Sequence, residues 1–326
     1  MQPRYVAGLL FLASSLAAAA QATCNPNALP AAAKQVEAVR HALRAAAVPT
    51  SDPAVPAPIA AQLLQLKSAL ADAADAAFAC AAPSVADAGM KATLAEALKA
   101  NRSGSVEETS EELPGNREQG AYGSDLAVEV FQLFNQPRIF EVTFRFGIEC
   151  GDDNLLLVFQ APSERSGTWH EALRWGTSAY NNVGDALGDF IMLTPLTGEY
   201  KHPTWRFLVA HGHPGCAARP RPSTFSLDLL TPTADPAKPT VSWHFDHPYT
   251  EGLFAPRLAT TEDTIEFRLT PIPPEPAKHP VKPTAQRAAP RQGKTSSPEV
   301  YRFHLEAGGQ IVPTEAQPDQ AATPNH

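Results

Sequence analysis

A change of hydrophobic period between its two halves constrains this chain more than any other feature. Before residue 100 the apolar side chains recur every three or four positions, and from Leu126 onward they recur every two. The first spacing lines one face of a helix and the second lines one face of a strand. The expected fold class is therefore α+β in two modules. An alanine-rich helical hairpin or bundle spans 23–100. A mostly antiparallel all-β sandwich or barrel-like domain follows over 124–270.

In the helical part, Val36, Val39, Leu43 and Ala46 form one stripe and Ile59, Leu63, Leu66 and Leu70 a second. Pro49, Pro53, Pro56 and Pro58 separate them, because proline removes an N–H and clashes with the preceding turn. A third, weaker helix is expected from about Ser84, using Met90, Leu94 and Leu98. In an antiparallel pair of helices of ~20 residues, each ~30 Å long, the start of the first lies level with the end of the second. Cys24 and Cys80 occupy those two ends, so a bridge between them is expected. Keeping bridges within modules leaves Cys150 with Cys216.

In the β part, Phe140, Val142, Phe144, Phe146, Ile148 and Cys150 point one way. Glu141, Thr143, Arg145 and Glu149 point the other. This is the clearest strand in the chain, and a core side and a solvent side are expected of it. Gly151-Asp152-Asp153-Asn154 reads as a turn, with a return strand over 155–160. Further strands are expected at 188–196, 205–211, 225–230, 241–245 and 265–269, and terminal strands of the same domain within 299–313. Trp243 alternates with Val241 and Phe245 and is expected in the core.

Three segments interrupt this pattern. Residues 101–123 carry Glu107, Glu108, Glu111 and Glu112 among Ser, Thr and Gly, the composition of a solvated acidic linker. Residues 271–298 form a proline-rich basic linker, and 314–326 a tail expected to be disordered. The chain has 32 prolines in 326 residues, nearly twice the usual ~5%.

The first 22 residues read as a secretory signal. Arg4 precedes an apolar run from Val6 to Ala20, and Ala20-Gln21-Ala22 supplies the small residues of a cleavage site, with cutting before Thr23. Export to the periplasm or the extracellular space would let the four cysteines oxidise. The run is too short for an ordinary spanning helix of about 20 residues, and none of that length follows, so no transmembrane anchor is expected after cleavage. Ala22 and Thr23 before Cys24 do not fit the usual lipid-attachment pattern. A net charge of −8 argues against a general nucleic-acid binder.

No complete catalytic motif is present. His170-Glu171 starts like a helical metalloprotease motif, but position 174, where the second histidine should stand, is Arg. No serine sits in a G-x-S-x-G elbow, and there is no P-loop, dinucleotide fingerprint or CxxC. Asp185 and Asp189 bracket Gly188 and read as turn-capping or solvated.

Two constellations remain. His211-Gly212-His213 would put two imidazoles on one strand face, and His244, Asp246 and His247 could complete a zinc site from a neighbouring strand. Trp169, Trp175 and Tyr180 fall in a loop-like region around 162–187, where aromatic faces could stack on a sugar. The expected function is that of an exported, non-catalytic protein with no cofactor. It would bind a ligand or partner, such as an envelope polysaccharide or protein, through those loops. The alternatives are a metal-dependent hydrolase built on the His-x-His pair and a structural component of an envelope assembly.

Overall fold

The computed structural model describes residues 24–46, 54–100, 122–135, 138–149, 151–161, 167–197, 205–213, 221–251, 253–261, 263–272, 298–306 and 310–314. The expected signal, nearly all of both linkers, the tail beyond 314 and the Cys150–Cys216 pair lie outside these residues.

Among the described residues, three helices come first: α1 (Ala28–Ala45), α2 (Ala57–Ala79) and α3 (Asp87–Leu98). All are alanine-rich, and proline stands at the α2 entry, where its missing N–H costs nothing. The Cys24–Cys80 disulfide joins the start of α1 to the end of α2, as the hairpin geometry requires. No described helix is long and apolar enough to cross a membrane.

Among the described residues, twelve strands follow in three antiparallel four-stranded sheets. Sheet 1 runs in the order β1 (Ala127–Asn135), β2 (Arg138–Ile148), β3 (Gly151–Ala161), β4 (His170–Gly176). Sheet 2 contains β5 (Gly188–Thr197), β6 (Trp205–Gly212), β7 (Arg221–Thr231) and β8 (Thr240–Glu251), also in chain order. Sheet 3 has the order β12-β11-β10-β9, formed by β9 (Phe254–Thr260), β10 (Thr264–Pro271), β11 (Glu299–Leu305) and β12 (Ile311–Pro313). A short 3₁₀ turn, Val183–Asp185, leads into sheet 2.

The apolar faces stack these elements as helices, sheet 1, sheet 2 and sheet 3. The helical stripes Val36-Val39-Leu43, Ile59-Leu63-Leu66-Leu70 and Met90-Leu94-Leu98 are buried in one core with Val142, Phe144, Phe146, Leu157 and Phe159 of sheet 1. Phe78 of α2 stacks on Phe159 with ring centres 3.9 Å apart. The helices thus form a layer of the fold. The other face of sheet 1 (Ile139, Leu156, Val158, Leu173) meets Leu193, Trp205, Phe207, Val209 and Leu230 of sheet 2. The far face of sheet 2 (Leu208, Ala210, Phe225, Leu227, Leu229) packs on Ile265, Phe267, Leu269 and Phe303 of sheet 3. Trp243 joins that layer only half-buried, against Phe303.

This stacking changes the reading of β2. Its apolar row faces the helices as expected, but its polar row does not face water. Glu141 and Thr143 are buried beneath sheet 2. The expected acidic linker also ends earlier than its composition implies. Tyr122 is fully buried, and Gly123, at φ +73°, accepts a hydrogen bond from Arg40 Nε at 2.8 Å. A side chain at Gly123 would meet Leu43 at 3.2 Å, so both the left-handed backbone and the close approach to α1 call for glycine.

Candidate functional site

The His-x-His segment ends β6, and its neighbour in sheet 2 is β7. The register sets His211 opposite Ser226, and Ser226 opposite Asp246 of β8; one step along, Val209, Asp228 and His244 are aligned. Directly opposed residues share a face, so His211, Ser226, Asp228, His244 and Asp246 form one polar surface on the side facing sheet 1. His211 Nε2 lies 2.8 Å from Asp228 Oδ2, and His244 Nδ1 lies 2.7 Å from Asp228 Oδ1. His244 Nε2 is 2.9 Å from Asp246 Oδ2, and Ser226 donates to Asp246 Oδ1. His213 Nε2 is 3.0 Å from Ser226 Oγ, and its Nδ1 is 3.0 Å from the Gly184 carbonyl in the 3₁₀ turn.

Both ring nitrogens of His244 face carboxylates, an arrangement satisfied by the imidazolium form. The hydrogen bond to Asp228 accordingly raises its pKa above the usual histidine value. Burial alone would raise the Asp228 carboxyl, but the bonds from His211 and then His244 hold it below the usual aspartate range. Nδ1 of His211 is buried and has no hydrogen-bond partner among the described residues.

These contacts tie β6, β7, β8 and the 3₁₀ turn together. They turn the imidazole nitrogens toward carboxylates, a hydroxyl and a carbonyl of the protein itself. Ser226 is 2% exposed and its proton is engaged by Asp246, so a substrate carbonyl has no approach to it. His247, grouped with His244 and Asp246 on sequence grounds, lies on the opposite face, parallel to the Phe245 ring and tilted against Tyr301. It is an odd number of positions from both His244 and Asp246, and a strand sends such residues to opposite sides. Among the described residues, no group of three or more His, Cys, Asp or Glu is placed to hold a metal ion.

The aromatic trio does not form a surface patch. Trp169 is buried against Phe78 and Phe140, and its Nε1 donates to the Ala82 carbonyl at 3.2 Å. Trp175 is half-buried within β4, beside the core between sheets 1 and 2. Tyr180, expected on an exposed loop, is 6% exposed and donates to Asp153 Oδ2. The reason lies in α2. Lys67 is buried there, and its Nζ makes an ion pair with Asp153 at 2.8 Å. Asp153 must satisfy its remaining acceptors where water cannot reach. It accepts from the backbone N–H groups of Leu187 (2.9 Å) and Asn154 (2.8 Å) as well as from Tyr180. Asp185 acts as the expected cap, accepting from the N–H groups of Asn181 and Asn182 at 2.6 and 3.0 Å. The side chain of Asp189 is outside the described residues.

A cavity of about 270 Å³ opens between sheets 1 and 2, just below the ~300–1,000 Å³ usual for ligand sites and so suited to a small ligand. Its polar lining comes from Glu129 (β1), Glu141, Thr143 and Arg145 (β2) and Asp152 and Asn154 (β3). Phe131, Phe190 and Ile191 supply apolar surface. Glu129 Oε2 pairs with Lys91 of α3 at 2.6 Å, while its Oε1 is buried with no partner among the described residues. Glu141 is 7% exposed, and its carboxyl accepts a 3.1 Å hydrogen bond from Thr143. Burial pushes its pKa up to about 7, only partly opposed by that bond. Phe131 is 51% exposed at the mouth.

Sequence reasoning brought His211, His213, His244 and Asp246 to one surface but missed Ser226 and Asp228, which join them. Their polar alternation with Phe225, Leu227 and Leu229 was visible; the register that puts β7 between β6 and β8 was not. It also missed the cavity, because Glu141 and Thr143 read as the solvent side of a strand. Comparison of the chain with family models, curated proteins and solved structures returned no match.

Proposed function

We propose that the chain is an exported, non-catalytic binding protein. It takes a small hydrogen-bonding ligand, such as a unit of an envelope saccharide, in the cavity between sheets 1 and 2. One observation carries this reading: a concave site of mixed polar and apolar lining holds the buried Glu141, whose one hydrogen bond among the described residues comes from Thr143, beside Glu129, whose Oε1 is buried with no partner among them. Native proteins seldom leave such atoms unsatisfied, and a ligand donor would satisfy them. Export is supported by the leader-like N-terminus and by the Cys24–Cys80 bridge, since disulfides persist in oxidising compartments.

Titration calorimetry with a panel of mono- and disaccharides, amino sugars and small amines tests the binding reading. Saturable binding weakened by Phe131→Ala, at an exposed position that is cheap to change, is the expected result. Silence across the panel, or binding indifferent to that change, overturns it. Mass spectrometry of native material tests export separately: an uncut N-terminus or reduced Cys24 and Cys80 would contradict it.

A further inference from the structure

We infer that the group this cavity recognises is a protonated primary amine, held between Glu129 and Glu141. The inference rests on the binding reading above and names the chemistry of that same site. Glu129 stands opposite Thr143, and Glu141 stands opposite Phe131 in the next row. The two carboxylates are therefore diagonal neighbours on one face, with Cβ atoms at most about 7–8 Å apart and within reach of one small group.

Glu141 lacks a counter-charge, and Oε1 of Glu129 lacks a donor, among the described residues. Lys91 satisfies only Oε2 of Glu129 and leaves Oε1 buried and bare. Glu141 is more buried still, and its one hydrogen bond among the described residues comes from the neutral Thr143 hydroxyl. A buried carboxylate without a counter-charge is costly, and removing that cost is what a cationic ligand would do. An ammonium brings three N–H donors and no acceptor, which matches a site with acceptors to spare. A hydroxyl brings one donor but adds two acceptors, for which this end of the cavity offers little beyond Thr143.

Phe131, directly opposite Glu141, supplies an aromatic surface that also favours a cation. Arg145 opposes an ammonium: it stands opposite Ala127 as a diagonal neighbour of Glu129, but lies four residues from Glu141 on β2, about 13 Å along the strand at ~3.3 Å per residue. It therefore directs the ammonium to the Glu141 end and leaves the far end for a ligand oxygen. Asp152, at that far end, already has a partner.

The test compares ligands that differ only at the decisive group. Glucosamine, glucose and N-acetylglucosamine are titrated into the purified protein at neutral pH, with cyclohexylamine as an amine that is not a sugar. Glucosamine is expected to bind at least tenfold more tightly than the two neutral sugars. Glu141→Gln and Glu129→Gln should each erase that preference without lowering the melting temperature by more than a few degrees. Cyclohexylamine matching glucosamine also supports the inference and assigns the site to amines in general. Neutral sugars binding as tightly as glucosamine, or a preference that survives both substitutions, overturns the ammonium inference and leaves the binding reading standing. Binding of none of the four, together with silence across the wider panel, overturns both.

Discussion

Glu141 is the residue at which a pH effect on folding is most directly readable. Its carboxyl is pushed from about 4.5 up to about 7 by burial, so between those pH values the native state holds a proton that the unfolded chain has released. An acid with a raised native pKa makes stability fall as pH rises through that window, and the loss is complete above it. At about 1.4 kcal/mol per pH unit the loss is of order 3 kcal/mol. Urea titrations between pH 4.5 and 8 should show this component in the wild type. It should be absent in Glu141→Gln, which is expected to be the more stable protein at pH 8. An equal slope in both would mean the carboxyl is solvated. The buried Lys67–Asp153 pair behaves differently, because every acceptor contact around Asp153 is made. Asp153→Ala strands Lys67 with no counter-charge, and the expected cost is about 3–5 kcal/mol, read as a shift in the urea midpoint.

At the scale of elements, the disulfide joins residues 56 positions apart and closes a loop around the whole of α1 and α2. Cross-linking a loop of that length removes unfolded-state entropy worth ~4 kcal/mol, and measured values usually reach ~2–4 kcal/mol. Replacing Cys24 and Cys80 with Ser should lower stability by that amount and leave helix content by circular dichroism unchanged below the transition. The helices were legible because each stripe has a single buried face and proline marks the breaks. The strands missed from the sequence each carry a misleading local signal. Glu129 and Phe131 face the cavity from β1, so apolar and polar residues mix on that side, and a bulge between Gln132 and Phe134 then breaks the period. His170–Gly176 reads HEALRWG, which carries helix-favouring residues, yet β3 pairs with it through a bulge. Pro256 interrupts β9, and it is tolerated there because β9 is an edge strand. The cavity was not legible for a related reason. Whether a polar row such as Glu141-Thr143-Arg145 meets water or a second sheet depends on stacking, and period-two alternation is blind to stacking.

For the whole molecule, the order of layers decides which parts can stand alone. Sheet 1 is covered on both faces, by helices on one side and by sheet 2 on the other. Removing residues 24–100 would bare Phe140, Val142, Phe144, Phe146, Leu155, Leu157 and Phe159 on one flat face. At about 1.5–3 kcal/mol each, those seven side chains account for roughly 10–20 kcal/mol of burial, as much as the ~5–15 kcal/mol that holds a typical domain together. A chain beginning at Tyr122 should therefore fail to reach the native state, appearing as aggregate or as a species that binds a hydrophobic dye and lacks near-ultraviolet circular dichroism. A cooperative, dye-negative fragment would instead mean that sheets 1 to 3 carry their own stability and that the helices are a detachable cover. The same stacking makes the cavity a property of the intact molecule. Its walls come from β1, β2 and β3 on one side and from β5 on the other, so loosening the contact between sheets 1 and 2 should weaken ligand binding. Trp205→Ala, which removes the ring that Phe134 meets edge-on at 5.0 Å across that contact, should weaken binding at a temperature where the variant remains folded. Unchanged affinity would show that the cavity keeps its shape without it.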